Sequence, residues 1–325
     1  MKIDALPTPC YVVDKVKIIN NLKILRGVMD RTGARILLAQ KAFSMYELYP
    51  LIGEYLAGAT ASGLFEAKLC AEEMVAPLRR KIQEENLDSL QNKTLDTLLN
   101  KTQDTLQNKT QESLQVESSK WASNCTLPEN HIFSPAYKQE DFEEIVQIAD
   151  HIVFNSIKQL KKYGTQAKSA GKSIGLRINP EVSTQEGHEI YDPCAKGSRL
   201  GVTKENLVKA LEEDEKCLDL LDGFHFHTLC EQDADALEVT LDVVVEKFGQ
   251  WMQGHKWINF GGGHHITKPG YDIVLLEKCI KRMQNQYGLQ VYLEPGEAIA
   301  LNAGYLITTV LEKITNHMEI AIVDT

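Results

Sequence analysis

The sequence predicts the α/β class, in the form of a (β/α)₈ TIM-type barrel followed by an incomplete C-terminal β domain. Three observations carry this. Eight short apolar runs can be counted, helical periodicity separates them, and polar groups suited to chemistry gather where the runs end. The strand-like runs fall at residues 35–40, 56–60, 131–134, 151–154, 174–178, 221–227, 257–260 and 290–294. Each is short and rich in Ile, Val, Leu or Phe, and the run at 56–60 is the weakest. Apolar spacing of three and four residues predicts helices over 44–56, 62–75, 138–149, 156–169, 203–214, 233–251 and 271–287. Two pieces lie outside the barrel. Pro9–Asp14 reads as an extended lead-in, and residues 299–324 read as strands with no helix between them. The expected division is therefore a barrel over 1–298 and the start of a β domain over 299–325, to which the strand near 9–14 can also belong.

One stretch does not fit that alternation. Residues 87–94 read LDSLQNKT, 95–102 LDTLLNKT and 103–110 QDTLQNKT, and 111–114 open a fourth copy. An apolar position that recurs every eight residues drifts by about 80° around an α-helix, so these leucines make no fixed stripe. The period indicates tandem duplication, and a surface insertion is expected from about Pro77 to Asn130. Its three Asn-Lys-Thr triplets match a glycosylation acceptor, which carries no meaning in a cytoplasmic protein.

The chain has 325 residues and a formal net charge of −10. Such acidity makes nucleic acid an unlikely partner and attracts small cations, although ordinary solubility accounts for it as well. Seven scattered cysteines without CxxC spacing argue for a reducing compartment and against a disulfide framework or structural zinc. No apolar run has the length of a membrane span, and no signal peptide is seen at the start, so a cytoplasmic location is expected.

In a barrel the carboxyl ends of the strands converge on one site. Lys41 ends the first strand; partial desolvation there would favour the neutral amine, which can form a Schiff base with an aldehyde. A strand-end lysine reaching for solvent is the plainer alternative. Arg177 and Asn179 end the fifth strand, and His225 and His227 the sixth. The seventh runs into Gly261, Gly262 and Gly263, which let backbone N–H groups approach an anion such as phosphate, or simply make a tight turn. The eighth ends in Glu294-Pro-Gly296-Glu297. A carboxylate facing a pyridine nitrogen keeps it protonated and makes the ring an electron sink. His227 could lie flat on such a ring or be a core histidine. His225, His227, His264 and His265 also raise a metal-hydrolase reading. Against it, two of them are sequence neighbours, and no Asp stands at the last strand end.

Lysine, histidine, glycine run and Glu-Pro-Gly, in this order, resemble the alanine-racemase-fold PLP decarboxylases. Within them the carboxynorspermidine (carboxyspermidine) decarboxylase branch is most similar. The residues that carry the resemblance are Ala39–Ser44, Ala59–Glu66, Ser134–Tyr137, Ile190–Cys194, Ser198–Gly201 and Glu294–Ala298. The resemblance implies pyridoxal 5′-phosphate held covalently by Lys41, with His227 stacked on its ring and Glu294 paired with its nitrogen. It also implies Gly261, Gly262 and Gly263 around the phosphate, Arg177 as a brace, and Ser62, Cys230 and Gly296 as further cofactor contacts. It further implies a cationic polyamine substrate and a homodimer. Glu297 departs from the arginine usual in related enzymes and removes one expected phosphate contact. Family members continue beyond this length, with a cysteine-containing loop and an aromatic residue that complete the partner's site. An incomplete β domain is expected to leave unpaired edges and exposed apolar surface, and to weaken PLP binding and turnover in the isolated chain.

Overall fold

The structure, a computed structural model, describes residues 5–84, 127–184 and 192–325. Eight parallel strands close into a barrel in chain order. They are β2 (Arg35–Ala39), β3 (Gly58–Ala61), β4 (Glu129–Phe133), β5 (His151–Phe154), β6 (Ser173–Arg177), β7 (Gly223–His225), β8 (Trp257–Asn259) and β9 (Gln290–Leu293). All eight strands expected from the sequence are present, and β9 closes on β2 through Arg35 opposite Tyr292 and Ile36 opposite Leu293.

The period of two along each strand decides what faces inward. In β2, Ile36 and Leu38 pack outward against the helices while Leu37 points into the barrel; β5 repeats this with Ile152 and Phe154 outside and Val153 inside. The same parity puts Arg177, His225, Asn259 and Tyr292 on the inner face, because their neighbours Leu176, Phe224, Ile258 and Val291 belong to the outer layer. Trp257 and Tyr292 fill the lower barrel. Glycine makes the room: a Cβ on Gly175 or Gly223 would come within 2.4 or 2.3 Å of the Trp257 ring.

The expected helices are found, most with trimmed ends, while the one expected over 62–75 runs on to 84. One more, α1 (Lys15–Thr32), lies outside the sequence expectation although its stripe of Ile18, Leu22, Leu25 and Val28 is readable in the chain. It precedes the first barrel strand, so counting strand–helix alternations from that strand passes over it. Asp14 caps its start by accepting from the Val16 and Lys17 amides, and Gly33 ends it in a left-handed conformation. A four-residue helix, Glu297–Ala300, also interrupts the region expected to be strand-like.

The helix that begins at Leu64 passes through a π-helical turn, Cys70–Val75, and continues over 76–84, while β4 has begun by Glu129. The octad copies themselves lie outside the described residues. After the barrel, β10 (Gly304–Ile307) pairs antiparallel with β1 (Cys10–Val13), and β11 (Val310–Asn316) pairs with β12 (Met318–Val323) as a hairpin. Every residue of β11 is exposed, and Leu311, Ile314 and Met318 are among the exposed apolar side chains.

Candidate active site

At the carboxyl mouth the strands enclose a cavity of about 460 Å³, within the range of small-molecule sites. Nine of the ten positions nominated from the sequence line it: Lys41, Ser62, Arg177, His227, Cys230, Gly262, Gly263, Glu294 and Gly296. The tenth, Gly261, lies behind the wall. A Cβ there would meet Phe226 O at 2.5 Å and His227 Cβ at 2.6 Å, so its place is between the β7 and β8 ends.

Lys41 follows β2 in a turn held on both sides. The Ala39 amide donates to Pro295 O at 3.2 Å and the Gln40 amide to Thr60 O at 3.3 Å, while the Ala42 amide closes back on Ala39 O at 3.1 Å. Gly296 lets the two loops meet, since a Cβ would stand 2.4 Å from Ala42 Cβ. Lys41 itself is exposed at the mouth.

Glu294 is buried. Its Oε1 accepts from Asn259 Nδ2 at 2.8 Å and its Oε2 stands 3.4 Å from His225 Nε2. Burial alone would raise this carboxyl, but the charge and hydrogen bond of His225 outweigh it and hold the group well below the usual carboxylate range. Asn259 was not singled out from the sequence; a polar residue on the inner face of an apolar strand was the available signal. It also accepts from the Gly261 amide at 2.8 Å, and Gly261 O in turn accepts from the Glu294 amide at 2.8 Å.

His227 accepts at Nδ1 from the Gly262 amide at 3.2 Å. That bond places the proton of the neutral ring on Nε2. Burial, with the Arg177 and Lys41 charges beside it, keeps the ring neutral by pulling its pKa well below the ordinary value. Arg177 donates to His227 O at 3.3 Å, and its guanidinium carbon lies 4.5 Å from the Phe133 ring centre. Burial lowers it to about 10, so it stays a cation at neutral pH.

Two quoted motifs serve as scaffold. Tyr137 OH receives the Ser134 amide at 3.1 Å and donates to Val153 O at 2.9 Å, pinning a loop corner. Asn155 holds the Ser198–Gly201 loop over the cavity through Arg199 O at 2.8 Å and the Gly201 amide at 2.7 Å. Ser62 is exposed, and its amide donates to Glu66 at 2.6 Å to start the next helix. Cys230 is also exposed.

His225, His227, His264 and His265 do not converge on one point. Among the described residues, three potential metal ligands gather at Glu129, His131 and His151 and again at Glu231, His265 and Glu297. In the first group the rings of His131 and His151 stack at 4.0 Å and 10°, so their in-plane lone pairs run side by side.

The residues around the cavity fit PLP. A buried anionic carboxylate suits a pyridine N–H, the neutral His227 ring lines the wall, and Lys41 offers an amine. The Gly261 and Gly262 amides are used within the protein, but the Gly263 amide has no protein acceptor among the described residues. A parallel barrel with this set at its carboxyl mouth defines the class of barrel pockets that carry a strand-end lysine above a buried carboxylate.

No protein-family model matches the chain. It is 37% identical over its whole length to the carboxynorspermidine/carboxyspermidine decarboxylase of Campylobacter jejuni, spanning 69% of that protein. It is 31% identical over 96% of its length to the carboxyaminopropylagmatine decarboxylase of Synechocystis, spanning 66% of it. The crystal structure of carboxynorspermidine decarboxylase from Campylobacter jejuni, complexed with norspermidine, superposes with a TM-score of 0.74 at 35% identity, over 98% of this chain and 68% of that one. The chain belongs to the carboxynorspermidine/carboxyspermidine decarboxylase family.

Proposed function

We propose that this chain removes CO₂ from carboxynorspermidine and carboxyspermidine in polyamine biosynthesis, with PLP as cofactor. The observation that carries the reading is one cavity wall bearing Lys41, His227 and a buried anionic Glu294. When bound, PLP supplies an electron sink for the pair left behind by the departing CO₂. Lys41 Nζ would be the amine that holds the cofactor. Glu294 Oε2 and Oε1, kept anionic by His225 and Asn259, hold a proton on the pyridine nitrogen. His227 offers its neutral ring as a flat support, and Arg177 braces it through the His227 carbonyl. Gly263, with Gly261 and Gly262 shaping its loop, receives the phosphate, while Ser62, Cys230 and Gly296 frame the rest.

The relatives named above act on carboxylated polyamines, which supports a cationic substrate; the chain's net charge of −10 agrees with it. The proposal includes a cytoplasmic homodimer. The described cysteines are unbridged, and among the described residues no helix is long and apolar enough to cross a membrane. Assaying CO₂ release from carboxynorspermidine, carboxyspermidine and diaminopimelate tests the reading. Release from either of the first two supports it, release from diaminopimelate alone moves the chain to an amino-acid decarboxylase, and silence with all three sinks it.

A further inference from the structure

A second chamber of about 600 Å³ adjoins the first and shares Lys41, Arg177, Arg199, His227 and Cys230 with it. The rest of its wall is the loop over residues 192–200. The two chambers differ in charge. Glu231, Glu294 and Glu297 line only the first, where Glu297 Oε2 stands 3.1 Å from His265 Nε2. Arg177 and Arg199 line both, and Lys196 lines only the second. In a chain of net charge −10, the second chamber thus sets two arginines and Lys196, besides Lys41, against the carboxylate of Asp192. Asp192 turns one oxygen onto the Cys194 amide at 2.7 Å and forms no ion pair among the described residues. Such a chamber favours an anion.

Among these cations Arg199 stands where the chambers join and is uncommitted. Arg177 is engaged by His227 O and the Phe133 face. Lys41 is the cofactor's amine, and Lys196 does not line the first chamber. The Arg199 side chain is exposed and makes no hydrogen bond, ion pair or ring contact among the described residues. Its backbone, by contrast, is fixed. Asn155 donates to Arg199 O at 2.8 Å and accepts from the Gly201 amide at 2.7 Å, while Ser198 Oγ donates to Pro193 O at 2.6 Å. A free guanidinium on a fixed backbone is a preorganised fork for a carboxylate. Burial first, and then the Arg199 charge, lowers Arg177, so the two guanidiniums oppose each other and an anion at Arg199 relieves that repulsion. The Gly263 amide, which receives the phosphate, lies outside the second chamber. We propose that Arg199 takes the substrate's carboxylate and so selects carboxylated polyamines over their decarboxylated products, an inference that rests on the function proposed above. When neutral CO₂ departs and a proton takes its place, the product offers Arg199 only ammonium groups and is no longer held there.

The test uses the full chain loaded with PLP, and compares turnover of carboxynorspermidine with binding of norspermidine, which lacks the carboxylate. Norspermidine binding is followed by the absorbance change that depends on Lys41. Arg199→Gln is expected to raise KM for carboxynorspermidine about 10- to 100-fold, the scale of a hydrogen bond to a charged group. Its kcat is expected to hold or rise, because a carboxylate leaving as neutral CO₂ gives up that contact as it reacts. Norspermidine is expected to bind Arg199→Gln at least as tightly as the wild type. Lys196→Gln, the same charge change in the same chamber, should move KM by less than about fivefold, the scale of an exposed pair. A fall in kcat, equal KM rises in the two variants, or weakened norspermidine binding in Arg199→Gln overturns the proposal. Loss of the Lys41-dependent absorbance in Arg199→Gln also overturns it, in favour of a cofactor contact. If the wild type releases CO₂ from neither carboxylated polyamine, the functional reading itself fails. An active wild type whose KM is untouched by Arg199→Gln overturns this inference alone.

Discussion

Glu129, His131, His151 and Arg35 meet at the amino-terminal mouth of the barrel, and Glu294, His225, His227 and Arg177 meet at the carboxyl-terminal mouth. The residue types are the same, one carboxylate with two histidines and an arginine. At the lower mouth Trp257 and Tyr292 pack within 5.3 and 5.4 Å of the His151 ring centre, and the histidines stack on each other. At the upper mouth the strands end in glycine and turn residues, and a cavity of about 460 Å³ remains. Ionisable side chains alone therefore do not make a site. Space, an approachable backbone N–H and an exposed amine distinguish the upper set from the lower.

The sharpest way to break this contrast is at the amine. Lys41→Ala is expected to abolish the PLP absorbance change and cut CO₂ release on the order of 10³-fold or more, as removal of a positioned reacting group does. Glu129→Gln, its lower-mouth counterpart as an ionisable deletion, should leave turnover near the wild-type value. Equal losses in both would erase the distinction. Next in size, Trp257→Ala should cost about 3–5 kcal/mol of stability, read from urea unfolding, because it empties the packed lower barrel. It should not create a second PLP site.

Glu294→Gln keeps the shape and the Asn259 contact but removes the anion. A fall in kcat of roughly 10²-fold with little change in KM is expected, and an unchanged kcat would refute its role at the ring nitrogen. The smallest effect concerns acid. Burial, with His131 beside it, lowers His151 from 6.5 to about 2. Burial would raise Glu129, but the His131 hydrogen bond and the nearby Arg35 outweigh it and lower it from 4.5 to about 2. Above pH 6.5 these two groups contribute their full stability. Below it the unfolded chain binds a proton that folded His151 refuses, and below 4.5 one that folded Glu129 refuses. Unfolding free energies read from urea titrations should fall on acidification, by at most about 1.4 kcal/mol per pH unit per group. His151→Phe should flatten the step between pH 6.5 and 5.

The barrel was legible because each strand is a short apolar run and each inner position follows from parity. Arg177, His225, His227 and Glu294 could thus be nominated together. Asn259 was not, since its value lies in a bond to a carboxylate on the next strand, which no local pattern encodes. Gly261 reads in sequence like its two neighbours, and only the closeness of His227 sets it apart. The exposure of Lys41 and the pairing of His265 with Glu297 depend on how loops turn after the strands stop, where side-chain periodicity no longer applies. Helix α1 was readable, and was passed over because it precedes the first barrel strand.

The described chain stops at residue 84, in the helix after β3, and resumes at 127, two residues before β4 begins. Both ends of that gap belong to a helix-to-strand connection, and in a parallel barrel such connections lie on the face away from the carboxyl mouth. Helix 76–84 and β4 therefore join on the side of the barrel opposite the mouth that bears Lys41 and Glu294.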